Sequence, residues 1–398
     1  VTERKERQML LGIYYDGVEL HRENKMLYAR FLSPHRVIST CPAAGGLRDD
    51  LAYLYNHQSS EPAGHDHPDH RIAVSDPVAY RALVCGRHRL PEDRCAGLGT
   101  AANMRCAVVK EARFRDLVVV AVCTGGVEGN AGRVGDPAAV YEHDGMYEQI
   151  SVEEPVLDGT INTMLFINHE LTPGAMVHAV MTATEAKTAA LQELAVNSRY
   201  SNGLATGTGT DQIGVAARLD TGVPLSSAGK HTALGELVGK TVHSAVKAAL
   251  SLQDSLTPEG QRSVVRHLER FGASRENLIA SITDLLPGER GSLFAGNFAV
   301  LESDPLTVAA VAALVHVRDE VTWGILPRNC VAELWAAYGA QVAGAVSGDY
   351  ASLPRYREIL AGAVYSDKDD DLLRLVEHAV ALGFLDKWRE ERDKGELP

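Results

Sequence analysis

INTMLFI at Ile161–Ile167, TPGAMVHAVMTATEAKTAALQELAV at Thr172–Val196 and LATGTGTDQIGVAARL at Leu204–Leu219 read as strand, helix and strand in succession. The first run is apolar without alternation, the pattern of a strand buried on both faces. In the second, Thr172-Pro173 supplies a cap and a proline at the first helical turn. About 23 residues rich in Ala, Met, Leu and Glu then follow before Asn197. The third is a strand interrupted by a Gly/Thr turn, and HTALGELVGKTVHSAVKAAL, from His231, follows it as a second helix.

Upstream, RVIST (Arg36–Thr40), MRCAVV (Met104–Val109) and LVVVAVCT (Leu117–Thr124) are further β-type runs separated by Gly-rich turns. Strands and helices in this order predict an α/β, mixed α+β, layered sheet-and-helix domain over residues 1–250. The segment Asn56–Asp76, NHQSSEPAGHDHPDHRIAVSD, is polar and aperiodic and reads as an exposed loop. Turn and cap residues in SLQDSLTPEGQ mark a boundary after Leu250. Residues 251–398 then predict a smaller, mainly α-helical domain, with helices at Thr257–Phe271, Pro305–Val317, Cys330–Val346, Leu353–Ala363 and Asp369–Leu382. The expected role of that domain is homo-oligomerisation or covering the catalytic domain.

The chain has 398 residues, is 45% hydrophobic and carries a formal charge of -13, so it can bury a large core and lacks the basic footprint that nucleic acid or an anionic membrane requires. Neither partner is expected. Six cysteines, at 41, 85, 95, 106, 123 and 330, form no CxxC pair and read as reduced, mostly buried thiols. With no signal-like or membrane-spanning apolar run, the expectation is a cytoplasmic protein.

Three segments poor at packing are good at presenting backbone and hydroxyl groups to a ligand: TGGVEGNAGRVGD (Thr124–Asp136), DGTIN (Asp158–Asn162) and ATGTGTD (Ala205–Asp211). Any one alone reads equally as a tight turn. Three beside predicted strands point to a common ligand-binding edge. GTGTD has neither the Gly-Lys-Ser/Thr ending of a Walker A loop nor a GxGxxG opening a helix, and no GxSxG marks a serine nucleophile.

On the helix, Glu185 sits among Ala, Met and Val, where burial would raise its pKa and suit it to acid/base work; a surface ion pair is the equal alternative. Lys187, about 200° round the helix from Glu185, points away from it. His65, His67 and His70 resemble a metal tract but read better as a solvated loop, so no metal site is assigned. His169 and His178 lack HExxH spacing, and His231 either caps or packs.

RVISTCPAAGG (Arg36–Gly46), GLGTAANM (Gly97–Met104), VCTGGVEGNAGRVGD (Val122–Asp136), the run Gly159–Leu194, ATGTGTDQIGVA (Ala205–Ala216) and AGKHTALGELVGK (Ala228–Lys240) occur in an order that resembles the CbiZ-type adenosylcobinamide amidohydrolases. The resemblance covers roughly residues 30–250. One departure is Thr124-Gly125-Gly126 where the family pattern is closer to Thr-Ala-Gly, and the helical C-terminal third lies outside the match. The resemblance implies hydrolysis of the amide joining the aminopropanol arm to the corrin ring, giving adenosylcobyric acid and 1-amino-2-propanol. A corrinoid is then the small-molecule partner; no cofactor is required, and cobalt enters with the substrate.

The resemblance brings no assigned catalytic residues, so roles come from what amide hydrolysis needs. One scheme has Glu185 or Asp211 activate water while Asn162 and the Thr206–Thr210 backbone, including Thr208, donate to the oxyanion. The other uses Thr160 as a covalent nucleophile. Thr124, Gly125, Glu128, Asn130, Asn103, Thr206, Thr208, Thr210 and His231 are the expected substrate contacts. A non-catalytic corrinoid sensor or carrier on the same fold is the competing class.

Overall fold

The structure is a computed structural model that describes residues 8–60, 67–144, 146–151, 159–363, 365–366 and 368–388. The chain divides into two compact units, one through Leu256 and one from Thr257. His65 and Asp158 lie outside the described residues.

Strands come first: β1 (Met9–Tyr14), β2 (Val18–Glu23), β3 (Met26–Phe31), β4 (His35–Ser39), β5 (Gly46–Arg48) and β6 (Tyr53–Gln58). Helices α1 (Pro68–Ser75) and α2 (Pro77–His88) follow, then β7 (Cys95–Thr100), β8 (Val108–Phe114), β9 (Leu117–Thr124), β10 (Ala131–Gly132), β11 (Val140–His143) and β12 (Met146–Gln149). The unit closes with β13 (Asn162–Ile167), α3 (Pro173–Glu193), β14 (Gly207–Thr208), β15 (Gln212–Arg218) and α4 (Ala233–Asp254).

Two sheets carry the architecture, ordered β1-β2-β3-β6-β7 and β5-β4-β15-β13-β9-β8. The parallel pair β13–β15 is joined through α3, and both flanks of that pair are antiparallel. Alternation along each strand explains the layering. Val119, Ala121 and Cys123 of β9, Leu165 and Ile167 of β13, and Val215 and Ala217 of β15 pack with α3 and α4. Their alternates Val118, Val120, Val122, Met164, Phe166 and Ala216 meet Leu20, Leu27, Leu54 and Leu98 of the other sheet. The far face of that second sheet, with Met26, Tyr28 and Tyr55, is covered by Tyr80, Val84 and Cys85 of α2. The unit is thus a helix–sheet–sheet–helix sandwich, a mixed α+β fold.

Several boundaries differ from the sequence reading. Met104–Cys106 is a short 3-10 turn capped by Asn103, and the strand begins only at Val108. The described parts of Asn56–Asp76 are not the exposed loop expected: Asn56, His57 and Gln58 end β6, each 2% exposed, and His67 caps α1 by accepting from Asp69 N. Composition cannot see this, because these polar residues are buried through specific partners such as His57 Nδ1 with the Tyr80 hydroxyl at 2.5 Å. Burial pushes the Cys41 thiol up to about 11 and the Cys123 thiol up to about 12.

In the C-terminal unit, α5 (Pro258–Gln261) and α6 (Val264–Leu268) replace the single helix expected over Thr257–Phe271. Ser263 breaks it by capping Arg266 N. Then come α7 (Arg275–Asp284), α8 (Arg290–Glu302), α9 (Pro305–Thr322), α10 (Val331–Ser347), α11 (Leu353–Ala361) and α12 (Asp369–Lys387), of which α7 and α8 were not anticipated. Phe294, Phe298, Trp335, Tyr356 and Phe384 centre its core. Within it the Arg270–Asp319 ion pair is buried at 2.5 Å, and the Arg270 and Arg318 guanidinium groups lie 4.6 and 4.7 Å from the centre of the Phe271 ring. Among the described residues no single helix is long and apolar enough to cross a membrane, and α8 with α9 reaches that length only across an 80° bend.

His35, fully buried at the start of β4, has Nδ1 2.8 Å from the Ser33 carbonyl and Nε2 3.1 Å from the Tyr15 hydroxyl. A neutral ring donating at Nδ1 and accepting at Nε2 satisfies both. Burial, with Arg218 nearby, pulls its pKa from 6.5 down to about 4. The unfolded chain therefore binds the additional proton in that interval, so the neutral ring's stabilisation is complete above about pH 6.5 and is lost as pH falls toward 4. Urea unfolding between pH 7 and 4 is expected to show this as a loss of about 3 kcal/mol. His35→Gln should flatten the pH slope; an unchanged slope would contradict the assignment.

Candidate active site

The C-terminal ends of β9 and of the five-stranded sheet's β6 and β7 meet the N-terminal ends of β13 and β15, because β13 runs antiparallel to β9 and parallel to β15. A polar latch joins the two sheets there. Asn162 Nδ2 donates to Asn56 Oδ1 at 2.9 Å and to the Gly99 carbonyl at 2.8 Å, while its Oδ1 accepts from Gln212 N at 3.1 Å. Asn56 Nδ2 in turn donates to Thr124 Oγ1 at 2.8 Å. Asn162 and Thr124 are each 1% exposed. Their polar groups are engaged across the sandwich, so Asn162 is a structural tie and not the oxyanion donor expected from sequence.

Asp211 precedes β15 and organises the two small-residue turns. Its Oδ1 accepts from Ile161 N at 2.8 Å and Thr208 Oγ1 at 2.5 Å; its Oδ2 accepts from Thr208 N at 3.0 Å and from Lys187 Nζ. A carboxylate holding four donors is a clamp and is poorly placed to activate water. Lys187 comes from the α3 face opposite Glu185. The angular separation that turns Lys187 inward therefore leaves Glu185 exposed, where it accepts from Lys230 Nζ at 2.6 Å. Glu185 does not converge with Asp211, contrary to the sequence reading, and the inward charge on this helix is the lysine.

The hydroxyls of the turns form a second network. Thr160 Oγ1 lies 2.6 Å from Thr210 Oγ1, which donates to the Gly159 carbonyl at 3.0 Å and accepts from Asn130 Nδ2 at 3.3 Å. Tyr200 orients that amide by donating to Asn130 Oδ1 at 2.8 Å. Gly159 has φ +116°, and a Cβ there would lie 2.8 Å from the Gly126 carbonyl oxygen, so only glycine fits. Of the proposed oxyanion backbone, Thr206 N donates to the Gly132 carbonyl, Thr208 N to Asp211 and Thr210 N to Thr208 Oγ1. Those donors hold the turn together.

Two recesses flank Gly159–Thr160. The larger, about 850 Å³ including its open mouth, is lined by Thr160, Thr210 and Gln212, by the β7 stretch Gly97–Ala101, and by Tyr55, Ser59, His70, Tyr80 and Arg81. Gly97 keeps it open beside Tyr55, whose ring would lie 2.2 Å from a Cβ at that position. The smaller, about 510 Å³, is lined by Gly126–Gly129, Gly159, Gln253 and Asp254, and Ala101 borders both. Glu128 belongs to the smaller recess. Asn103 caps the adjacent 3-10 turn and takes the Gln253 side chain on its N–H at 3.0 Å. Gly125 packs on Leu250, Thr206 accepts from Val134 N, and exposed His231 lines neither recess.

Ser59 and His70, 3.1 Å apart between Oγ and Nδ1, were missed because the segment carrying them reads as solvated loop. The one available signal was Pro68 behind a polar cap, the start of a helix. Burial and the neighbouring His88 lower the buried His57 imidazole behind them to about 3. Among the described residues no group of three or more His, Cys, Asp or Glu side chains could hold a metal ion.

A two-sheet sandwich with an amide- and hydroxyl-lined cleft at its strand ends is the class of protein these features define. The chain belongs to the CbiZ family, described as adenosylcobinamide amidohydrolase, whose family model matches residues 12–258. It is also 34% identical over 242 residues to an uncharacterized protein of Methanocaldococcus jannaschii, covering 59% of this chain and 89% of that protein. The helices of the C-terminal unit lie almost wholly beyond the family match.

The clamp orders two substitutions. Asp211→Ala strands a half-buried ammonium and two backbone N–H groups and is expected to cost about 3–5 kcal/mol. Lys187→Met leaves the carboxylate three donors and should cost about 1–3 kcal/mol. Urea unfolding that found the lysine change the more damaging would contradict the clamp.

Proposed function

We propose that this protein hydrolyses the amide linking the aminopropanol arm to the corrin ring of adenosylcobinamide, giving adenosylcobyric acid and 1-amino-2-propanol for cobalamin salvage. Family membership supports the reaction class. The observation that carries the substrate is the lining of the larger recess. It combines small and apolar side chains, among them Ala43, Ala73, Val74, Gly97 and Leu98, with the hydroxyl and carboxamide groups of Ser59, Thr100, Thr160, Thr210 and Gln212.

A ring edged with neutral amides is suited by such a lining: small apolar side chains, hydroxyl and carboxamide groups, and no carboxylate. The lining contains none; Arg81 and His70 are its basic side chains. Thr160 and Thr210 serve here as binding groups for ring amides, with Asn130 and Tyr200 fixing their hydroxyl directions. Cobalt arrives with the substrate, and the protein contributes no resident cofactor.

Purified protein incubated with adenosylcobinamide should release adenosylcobyric acid and 1-amino-2-propanol, read by mass spectrometry, and turnover should persist after exhaustive chelation of free metal. Tight binding without product would replace this reading with a corrinoid carrier or sensor. Loss of turnover on chelation, restored by added metal, would overturn the cofactor-free version.

A further inference from the structure

We infer that Ser59 is the nucleophile of this cleft and His70 its general base, an inference that rests on the hydrolase reading above. Four aliphatic hydroxyl side chains line the larger recess together with His70: Ser59, Thr100, Thr160 and Thr210. Their hydrogen bonds separate them. Thr160 meets Thr210, Thr210 donates to the Gly159 carbonyl, and Thr100 Oγ1 accepts from Ala102 N at 3.0 Å. None of these partners can take a proton at neutral pH. Ser59 Oγ lies 3.1 Å from His70 Nδ1, within the reach at which an imidazole activates a hydroxyl.

Two elements fix this pair. Ser59 follows β6 directly, with its backbone N–H bonded to the Thr100 carbonyl at 3.1 Å, so the serine is tied to the cleft-lining end of β7. His70 sits in the first turn of α1, which Pro68 and the His67 cap start. Tyr80, which also lines the recess, has its hydroxyl 2.5 Å from the buried His57 Nδ1 on the interior side.

His70 Nδ1 takes the hydroxyl proton as Ser59 Oγ bonds to the amide carbonyl carbon. The tetrahedral adduct collapses with cleavage of the C–N bond, and His70 returns the proton to the leaving nitrogen, releasing 1-amino-2-propanol. Water then attacks the Ser59 ester and gives a proton to His70, which passes to Ser59 Oγ as the corrinoid acid departs. One water is consumed and no electrons change hands. The sequence lacked any GxSxG signal because this serine directly follows β6 while the next helix starts only at Pro68, so it does not sit in a strand-to-helix elbow.

The test compares wild type, Ser59→Ala and His70→Gln on adenosylcobinamide, with binding followed separately by the corrinoid absorbance change. Ser59→Ala is expected to lose at least about 10³-fold in turnover while still binding, and His70→Gln about 10²–10⁴-fold. Ser59→Ala that keeps a tenth or more of wild-type turnover overturns the nucleophile and leaves the hydrolase reading standing. Absence of product from wild type overturns both. Should Ser59→Ala fail to fold, wild type partitioned with hydroxylamine decides: cobyric hydroxamate supports the acyl-enzyme, and acid alone at saturating hydroxylamine overturns it.

Discussion

A strand that is apolar on both faces has to be covered on both faces, and β9, β13 and β15 impose that requirement on the whole N-terminal unit. One face is met by α3 and α4, the other by a second sheet. The second sheet then exposes its own outer face, with Met26, Tyr28 and Tyr55, which α1 and α2 cover. Four layers follow from the burial of three strands.

The same packing concentrates polar groups at one end. Strands β9 and β13 are antiparallel, so the exit of one and the entry of the other coincide, and the turns Thr124–Gly126 and Gly159–Ile161 face each other there. Such turns carry backbone donors that no ladder satisfies. Asp211 takes Ile161 N and Thr208 N, Asp254 takes Val127 N at 2.7 Å, and Asn162 ties the sheets together. Each polar side chain that secures a turn is thereby removed from direct chemistry. Much of the polar composition that looks catalytic in this chain is the cost of building an open cleft from irregular backbone.

What is left for chemistry is decided by neighbours, not by residue type. Threonine and serine hydroxyls are equivalent donors and acceptors in isolation. In the cleft they differ because Thr160 faces another threonine, whereas Ser59 faces an imidazole. The long α3 helix shows the same principle with charge. Opposite positions on one helix send Lys187 to Asp211 and Glu185 to solvent, so the carboxylate that stands out among apolar neighbours is the one with the weaker claim to the site.

By itself the sequence determined the buried strands Leu117–Thr124 and Asn162–Ile167, the helix begun by Thr172-Pro173, and the family, since these rest on local pattern and ordered motifs. The turns holding Gly159, Thr160 and Thr210 beside β13 and β15 were legible because their sequence is too poor at packing to form regular core elements. Only the tertiary structure decided that Asn56, His57 and Gln58 are interior, that α1 and α2 follow them, and that Ser59 and His70 meet. The physical reason is that a polar residue can be buried as readily as an apolar one once its hydrogen bonds are made, and its partners lie on other elements: Thr124 for Asn56, Tyr80 for His57. Composition records the polar side chain but not the partner, and the partner exists only when the layers have been brought together.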